Sequence, residues 1–518
     1  MSLYSIDRDS DIPLYIQIRE NIIEAIRTGE LQPGDKLPSV TKLSQEIGVT
    51  QATIRRALQD LGESGKTECY VGRGTFIKDA DTVAQIDVTE ISVDGAAQSI
   101  GNVAKNHPPA PREFAARRLR TGVSKALYDI MPLAHKPGII QLTKGVPDPG
   151  HIPDGFLEKL SSETLQDGSR HLLQATNPLG FYDLRVEIAN RFNAEAGTAV
   201  SPDQVMITNG SIQALTLIAE SMLETNHHML CETPCFQGIA DTFTAMGHWV
   251  ETVPRDDDGP VLDKLIKDHG SQSHVLYLCP YAHNPMGTNL SKSRYEGIVE
   301  WAQRSGSIII ADEIFKDLLY EKNQLPSLMA GLGSEQTIIV SSISKSVMTG
   351  LRLGWLIGST ERVRKLAQLK RLMDYSCPTI VQAMGLTLFN SGTYDAHRKK
   401  MRKLYQKRME VMIRSLERMM PPGVSWTAPV GGFSIFVKLP QGYSSVALLL
   451  SAIDKGVSFL PGPLFDIDHR YLSSLRLSTA YADENKIKEG IELLASAIET
   501  FTRQPPEDSG LSGLGGFQ

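Results

Sequence analysis

Three side chains in the second half of the sequence provide an amine, a carboxylate and a guanidinium within a short stretch of chain. Lys345 follows an apolar, strand-sized run in IIVSSISK, and a lysine amine can form a Schiff base with a carbonyl compound. Asp312 ends the run IIIAD, which puts a carboxylate at the carboxyl end of a strand, where ligands bind in α/β sheets. Arg352 follows in GLRLG. Together these residues predict a chemically active site.

Two further stretches supply groups for a phosphate and a ring. In ITNGSIQ, Gly210 allows close approach of the backbone, and Ser211 and Ile212 offer free N–H groups at the positive end of a helix, which suits a phosphate. In HNPMG, Asn284 is held rigidly by neighbouring prolines and a turn glycine. The order phosphate cup, Asn, Asp, Lys and Arg suits pyridoxal phosphate. That cofactor needs an amine for a Schiff base, a carboxylate at its pyridine nitrogen and donors around its phosphate.

Strands and helices must position these residues. From Ile139 to about Phe501, strand-sized apolar runs alternate with helical patterns, and this alternation is typical of an α/β domain. A polar stretch with a proline cluster precedes it and indicates a linker, and the Gly/Ser-rich end of the chain indicates a disordered tail. The predicted divisions are a helical module over 1–78, a linker over 79–135, the α/β region over 136–503 and the tail over 504–518.

The N-terminal module has the pattern of a DNA-binding helix-turn-helix. Apolar residues recur every four positions from 14 to 26, a second short helix covers about 40–47, and Thr50 can cap a third helix after Gly48. A Gly-rich hairpin at 72–76 follows where a wing would reach the DNA phosphates. The residues predicted to contact DNA are Gln51, Thr53, Arg55, Arg56 and Arg73.

The segment LQPGDKLPSVTKLSQEIGVTQATIRRALQDL, followed by GRGTFI, resembles the winged helix-turn-helix of GntR-family bacterial regulators over about 65 residues. The family usually has an arginine where this chain has Gln51, at a position that the resemblance implies is at the DNA. Residues 1–78 contain ten Lys and Arg against eleven Asp and Glu, a net charge of −1. Because phosphate neutralisation supplies most non-specific affinity for DNA, the alternative is a helical packing module that has lost DNA binding.

The α/β region resembles the fold-type-I aminotransferases, which bind pyridoxal phosphate, over about 360 residues. The resemblance rests on SxSKxxxxGLRLG, HNPxG and the strand-borne Asp312, and it implies a large α/β domain and a smaller C-terminal α+β domain. It implies that Lys345 is the catalytic Schiff-base lysine, that Asp312 pairs with the pyridine nitrogen and that Asn284 donates to the ring hydroxyl oxygen. The other implied roles are stacking on the cofactor ring for Phe236, phosphate binding for Ser211, Ile212, Ser342 and Arg352, and substrate binding for Gly145 and the carboxylate-binding Arg476.

Two positions depart from that family. Three residues after Asp312, Phe315 replaces a tyrosine that also bonds the ring hydroxyl, and Ala175 replaces the tyrosine that crosses the dimer to the phosphate. Each change loses one hydrogen bond, worth about 0.5–1.5 kcal/mol net. We therefore expect the protein still to bind the cofactor. The lost hydrogen bond to the ring hydroxyl counts against ordinary fast transamination.

The composition sets outer limits. The chain has 518 residues, 53 Lys and Arg against 59 Asp and Glu, and 41% hydrophobic residues, as in ordinary globular proteins. The net charge of −6 excludes coating of nucleic acid by bulk charge. The five cysteines are scattered, and the Cys231/Cys235 pair has no second pair to complete a zinc site, so we expect these two to be buried thiols and no metal to be bound. The sequence lacks a signal peptide and a membrane-spanning run. We expect a cytoplasmic protein with no membrane partner.

A winged helix joined by a linker to an aminotransferase-like module resembles the MocR-type regulators over nearly the whole chain. That resemblance implies a homodimer that binds operator DNA and senses pyridoxal phosphate, an amino compound or both through a Schiff base at Lys345. The alternative is an active pyridoxal-phosphate enzyme, an aminotransferase or a specialised amino-acid-transforming enzyme, with a vestigial DNA-binding head. A third hypothesis is a cofactor-free scaffold.

Overall fold

The computed structural model describes residues 14–28, 30–32, 34–51, 53–54, 57–58, 61, 67–70, 74–77, 134, 136–166, 169–222, 228–270, 272–321, 325–468 and 470–503. The chain divides into two compact units, Met1–Val93 and Asp94–Gln518. The predicted linker, apart from Ala134, and the predicted tail lie outside the described residues.

The first unit contains a helix-turn-helix arrangement. Helix α1 spans Leu14–Arg27 and helix α2 spans Val40–Ile47. The Ser39 hydroxyl caps α2 by accepting from the Lys42 N–H, and Gly48 ends the helix in the left-handed conformation that glycine adopts without strain. Beyond this turn the backbone is helical at 51, 53–54, 57–58 and 61.

These helical segments share one small apolar core, formed by Ile18, Ile22, Leu43, Ile47, Ile54, Ala57 and Leu61. The Thr50 hydroxyl accepts from the Thr53 N–H at 3.3 Å and caps the last segment. Strands β1 (Thr67–Tyr70) and β2 (Gly74–Ile77) pair antiparallel, which confirms the predicted hairpin at its strands. The tip of the hairpin, residues 71–73, lies outside the described residues.

The second unit alternates helices and strands. Its helices are α3 (Phe156–Leu165), α4 (Tyr182–Ala196), α5 (Ser211–Ser221), α6 (Gln237–Ala245), α7 (Leu262–His269), α8 (Lys292–Ser305), α9 (Leu328–Leu332), α10 (Thr360–Met373), α11 (Thr379–Asn390), α12 (Thr393–Met419), α13 (Ser445–Asp454) and α14 (Glu484–Thr502). Its strands are β3 (Ile140–Gln141), β4 (Val205–Thr208), β5 (His228–Thr233), β6 (Val250–Asp256), β7 (Gly259–Pro260), β8 (His274–Leu278), β9 (Ile308–Asp312), β10 (Thr337–Ser342), β11 (Gly354–Ile357), β12 (Ser425–Trp426), β13 (Ser434–Lys438), β14 (Val457–Ser458), β15 (Leu460–Pro461) and β16 (Ser474–Ser478).

One large sheet dominates the second unit, in the strand order β4-β11-β10-β9-β8-β5-β6-β7. The neighbours from β10 to β6 run parallel, whereas β11 is antiparallel to both β10 and β4. On β9, Ile309 and Ala311 face one apolar cluster and Ile310 faces another, so the sheet is covered on both faces. The predicted α/β class is confirmed.

A smaller antiparallel sheet, in the order β12-β13-β16-β15, follows in the C-terminal part of the chain. Helices α12, α13 and α14 pack with it around a separate apolar cluster that includes Leu448, Leu475 and Leu494. This arrangement matters for function because β16 carries Arg476 at its centre.

The described residues also bear on the cysteines and on membrane and metal binding. Cys231 and Cys235 are free and buried, which confirms the prediction of buried thiols. Within the described part of the chain, no helix is long and apolar enough to cross a membrane. Among the same residues, no group of three or more His, Cys, Asp or Glu side chains is arranged to hold a metal ion.

Candidate functional site

The ends of neighbouring parallel strands bring together the candidate residues on three loops. Strand β9 ends at Asp312, β10 ends three residues before Lys345, and Asn284 lies six residues beyond the end of β8. Because β8, β9 and β10 are parallel neighbours, their carboxyl ends lie at one edge of the sheet. This is the edge at which ligands bind in such sheets.

The turn from β4 into α5 forms a cup for an anion. Gly210 has φ of +84°, and α5 begins at Ser211, so the first N–H groups of the helix have no partner within it. A Cβ atom on Gly210 would lie 2.8 Å from Nη2 of Arg352, and one on Gly354 would lie 2.7 Å from the Gly210 carbonyl carbon. Both positions therefore require glycine, and the Arg352 guanidinium lies against the cup.

Two other predicted phosphate residues are held by local contacts. Arg352 has φ of +50°, which is unusual for a non-glycine residue, and its Nη2 donates to the Asn209 carbonyl oxygen at 3.1 Å. Ser342 is buried, and its hydroxyl donates to the Leu353 carbonyl oxygen at 2.8 Å and accepts from the Ser344 N–H at 3.1 Å. The Ser342 side chain therefore shapes the loop that leads to Lys345.

Lys345 has the environment of a reactive amine. Its Nζ donates to the Gly145 carbonyl oxygen at 2.7 Å. Burial, and then the charge of Arg476, lower the pKa of Lys345 to about 8, although the Asp312 carboxylate opposes them. A larger fraction of this amine is therefore neutral near physiological pH than for an exposed lysine, and the neutral amine is the nucleophile.

Asp312 is a buried carboxylate with two hydrogen bonds. The Tyr277 hydroxyl donates to Oδ2 at 2.8 Å, and the Ile314 N–H donates to Oδ1 at 3.1 Å. Burial raises the pKa of Asp312 to about 6, while these two bonds act in the opposite direction. An adjacent protonated ring nitrogen would stabilise the ionised carboxylate.

Arg476 reaches the same space from the smaller sheet. Its Nη1 donates to Asn284 Oδ1 at 3.4 Å, and its Nη2 donates to the Thr143 carbonyl oxygen. A Cβ atom on Gly145 would lie 3.3 Å from Nη1, so glycine leaves room beside the guanidinium. Nε is buried and finds no hydrogen-bond partner within the described part of the chain. Burial lowers the pKa of Arg476 to about 10, which keeps it charged at neutral pH.

The remaining candidates differ in exposure. The side chains of Phe236 and Ile212 are 44% and 42% exposed, and Phe236 directly precedes α6. Phe315 is buried and packs edge-on against Phe433, with ring centroids 5.3 Å apart. Ala175, at the position where the aminotransferase family has a tyrosine, is exposed among the residues that the structure describes.

Only part of the predicted DNA-contacting set falls in the described chain. Gln51 is exposed and Thr53 is half-buried near the start of the last helical segment. Arg55, Arg56 and Arg73 lie outside the described residues.

These groups fit pyridoxal phosphate. The cup offers backbone donors and the Arg352 guanidinium to a phosphate, and a Cβ atom on Gly210 would fill it. Lys345 provides a partly buried amine for an aldehyde, and Asp312 provides a buried carboxylate for a ring N–H. The unpartnered Nε of Arg476 can donate to the carboxylate of an amino compound. The fold and the site thus assign this protein to the class of pyridoxal-phosphate-binding proteins.

Comparison with known families agrees with this class. Residues 138–494 match the family profile of class I and II aminotransferases, and the chain belongs to this family. Residues 14–77 match the gntR family of bacterial regulatory proteins. The two matches confirm the predicted MocR-type architecture and its fold class. Because aminotransferases of this family depend on pyridoxal phosphate, the cofactor prediction is confirmed as well.

Individual relatives fall into two groups. The HTH-type transcriptional regulator YisV of Bacillus subtilis, described as uncharacterized, is 27% identical over 97% of this chain and 99% of its own length. Aromatic-amino-acid aminotransferase 1 of Thermococcus litoralis is 28% identical over 72% of this chain and 91% of its own. Among solved structures, the Pyrococcus horikoshii kynurenine aminotransferase superimposes with a TM-score of 0.69, at 29% identity over 78% of this chain and 99% of that one.

Some residues of the site were missed by sequence reasoning. One of them is Tyr277, which donates to Asp312, and the others are the buried Lys370 and its partly exposed partner Asp374 behind the phosphate cup. None of the three belongs to a recognised motif. The signal for Tyr277 was a polar hydroxyl inside the buried strand HVLYL. Lys370 lies in a helix rich in charged residues, and no pattern in the sequence of that helix indicates that this lysine is buried.

Proposed function

We propose that this protein is a ligand-responsive DNA-binding transcriptional regulator that binds pyridoxal phosphate. The proposal rests on the combination of two features in one chain. One is a GntR-type helix-turn-helix, and the other is an aminotransferase-like unit that brings together an amine, a carboxylate and two guanidinium groups. Relatives aligned over more than 90% of the chain carry the name of HTH-type transcriptional regulators. A ligand can control DNA binding only if it has different affinities for two arrangements of the chain.

We assign the cofactor contacts as follows. Pyridoxal phosphate supplies an aldehyde and an electron-withdrawing ring. Lys345 binds the aldehyde carbon, Asp312 holds a proton at the pyridine nitrogen, and Asn284 donates to the ring hydroxyl oxygen. The other contacts are the stack of Phe236 on the ring and the phosphate donors Ser211, Ile212 and Arg352. Ser342 would join these donors by turning its hydroxyl proton away from the Leu353 carbonyl oxygen.

An amino compound with a carboxylate is the proposed effector. Arg476 binds its carboxylate through a two-pronged hydrogen bond, and Gly145 leaves the room for it. Arg476 also contacts Asn284, so a ligand on the guanidinium acts directly on a cofactor residue. This contact supports a site in which cofactor and effector are sensed together.

We also propose a homodimer. Leu173 and Leu372 are each 85% exposed, and Tyr375 is 52% exposed. The Thr379 hydroxyl donates to the Gln174 carbonyl oxygen at 2.8 Å, so the segments that carry these side chains adjoin. Exposed apolar clusters of this kind mark protein interfaces. The exposed Ala175 belongs to the same segment as Leu173, where the family dimer places a cross-subunit tyrosine.

The N-terminal unit is the proposed DNA-binding head, with Gln51, Thr53, Arg55, Arg56 and Arg73 as its contacts. Residues 79–135 would connect it to the ligand-binding unit at 136–503. The free, buried cysteines fit the reducing cytoplasm in which such a regulator would work.

The test is DNA binding by the full-length protein. Fluorescence anisotropy with DNA from the region upstream of its own gene should show binding that weakens steeply as salt concentration rises, because phosphate contacts release counterions. Addition of pyridoxal phosphate with an amino acid should change the affinity. Arg55→Ala should weaken binding to DNA, whereas Arg476→Gln should leave it intact and remove the response to the amino acid. Absence of binding at low salt would contradict the proposal.

The environment of Lys345 is also compatible with a second candidate function. The Lys345 amine, with its pKa lowered to about 8 mainly by burial, and the nearby Asp312 and Arg476 would equally serve an active pyridoxal-phosphate enzyme. Phe315 in place of the family tyrosine counts against fast transamination. Steady turnover of an amino acid by the purified protein, together with failure to bind DNA at low salt, would favour the enzyme.

A further inference from the structure

A charged pair of a buried lysine and a partly exposed aspartate, whose side chain is 27% exposed, lies behind the phosphate cup. Lys370, in the last turn of α10, has no exposed side-chain surface, and its Nζ lies 2.6 Å from Oδ1 of Asp374. Burial of an ammonium group costs free energy unless it is paired, and apolar substitutes for buried ion pairs often leave a protein equally stable. Stability of the fold therefore does not explain why a lysine is enclosed here.

The second oxygen of Asp374 connects the pair to the cup. Oδ2 accepts from Asn209 Nδ2 at 2.7 Å and from Gln213 Nε2 at 2.5 Å. Gln213 Oε1 in turn accepts from the Asn209 backbone N–H at 2.8 Å. Arg352 binds the Asn209 carbonyl oxygen. The residue directly before Gly210 is thus held through its backbone N–H, its carbonyl and its side-chain amide.

We propose that Lys370 and Asp374 are positioning residues that set the preference of this site for a phosphorylated ligand. The inference rests on the proposed binding of pyridoxal phosphate and names two residues that would not touch it. Asp374 fixes Asn209 and Gln213, and through them the direction of the first N–H groups of α5. Lys370 neutralises Asp374, so that a carboxylate can stand close to the phosphate cup without repelling the ligand.

The two roles predict different effects of substitution. Lys370→Met removes the ammonium and leaves an uncompensated carboxylate one hydrogen bond away from the cup, so it should weaken phosphate binding most. Lys370→Met combined with Asp374→Asn removes both charges and keeps a side-chain oxygen for one of the two amide donors. The double variant should therefore bind phosphate better than Lys370→Met alone.

The experiment compares two ligands on the full-length apoprotein. Pyridoxal phosphate and pyridoxal, which lacks the phosphate, are titrated separately and followed by visible absorption. Lys370→Met should bind pyridoxal phosphate about tenfold more weakly than the wild type, the equivalent of about 1.4 kcal/mol. Its affinity for pyridoxal should be unchanged. The double variant should recover part of the lost affinity for pyridoxal phosphate.

The same helix offers a matched control. Lys365 pairs with Glu361 four residues away at 2.9 Å, but both side chains are mostly exposed, at 70% and 77%. Lys365→Met removes the same charge from the same helix and should leave the affinities for both ligands unchanged. Circular dichroism checks that each variant is folded, and the charge-neutral double variant keeps the test open if Lys370→Met does not fold.

The outcomes separate this inference from the proposed function. Wild-type binding of pyridoxal phosphate, combined with unchanged affinity in Lys370→Met, would overturn the positioning role alone. Equal losses for pyridoxal phosphate and pyridoxal would overturn it too, because a purely structural defect acts on both ligands. A double variant weaker than Lys370→Met would exclude the charge argument. A wild type that binds neither ligand would overturn both proposals.

Discussion

At the phosphate end of the candidate site, Arg352, Asn209 and the Lys370–Asp374 pair form one connected polar network around the start of a helix. At the opposite, ring-hydroxyl end, Asn284 already accepts a bond from Arg476, and Phe315 offers only an apolar ring. The phosphate end therefore keeps a connected polar network although Ala175 replaces the family tyrosine that reaches the phosphate. The other end has less polar support than the aminotransferase family provides.

This difference separates two properties that a cofactor site needs. Donors around a phosphate contribute affinity, whereas groups at the ring control where protons lie and hence how fast a bound amine reacts. A site with a dense phosphate end and a sparse ring end supports retention of the ligand more than rapid turnover. This is the balance that the proposed sensor requires, and the following variants test it.

The largest effect is expected for Lys345→Ala, which removes the amine between the two ends. The visible absorption band of covalently bound pyridoxal phosphate should disappear completely, because no other amine is proposed to bind the aldehyde. Residual, non-covalent binding measured by equilibrium dialysis would report the strength of the phosphate end by itself. Lys345→Arg, which keeps the charge, should lose the band as well, and a band that persists in either variant would contradict the assignment.

Arg352→Met tests the phosphate end directly. Hydrogen bonds to charged groups contribute about 1.5–3 kcal/mol each, so loss of the guanidinium should weaken binding of pyridoxal phosphate by about 10- to 100-fold. Titration of the apoprotein measures the change. Arg364→Met, at an exposed position of α10, is the matched control. A loss of less than threefold in Arg352→Met would remove this residue from the phosphate site.

The pH dependence of cofactor loading tests the amine between the two ends next. The pKa of Lys345 is lowered to about 8, chiefly by burial and then by Arg476, and only the neutral amine attacks an aldehyde. The loading rate should therefore rise with pH, level off above about 8, and be about tenfold below its plateau one unit lower. Stopped-flow absorption measures the rate.

Arg476→Gln provides the control for this profile. Loss of the neighbouring positive charge should raise the pKa of Lys345 and move the midpoint of loading upward. A wild-type rate that continues to rise beyond pH 10 would mean that the amine has the pKa of an ordinary exposed lysine.

The smallest effect is expected for Phe315→Tyr, which adds a hydroxyl at the ring end. One net hydrogen bond of about 0.5–1.5 kcal/mol should strengthen binding of pyridoxal phosphate by roughly 2- to 10-fold and increase any transaminase activity. Phe389→Tyr, at a buried ring elsewhere in the core, should not change binding. Weaker binding together with a lower unfolding midpoint in Phe315→Tyr would show that the new hydroxyl lacks a partner.

Residues within short motifs could be predicted because local chain geometry positions them. Asp312 ends a strand, Gly210 precedes a helix, and Lys345 follows a strand end, so spacing alone puts them at the edge of a parallel sheet. The helix-turn-helix was equally local, since its caps at Ser39 and Thr50 act within three residues. The α/β class followed from the same alternation of patterns.

Contacts between distant segments could not be predicted in this way. The bond from Asn209 to Asp374 joins residues 165 positions apart, and that from Tyr277 to Asp312 joins residues 35 apart. The burial of Lys370 depends on how α10 packs beside α5 and the cup, which no periodicity in its own helix specifies. Phe315 was identified as a departure from the family, but its packing on Phe433 was not.

The sequence by itself determined which chemical groups this protein has and at which ends of strands and helices they stand, because hydrophobic periodicity and turn residues act over a few positions. It also determined the fusion of a DNA-binding head to an aminotransferase-like unit. Only the tertiary structure decided which of these groups are buried, paired or left with free donors. Arg476 contacts Asn284, 192 positions away. Burial and then the charge of Arg476 lower the pKa of Lys345, and both are properties of the packed chain.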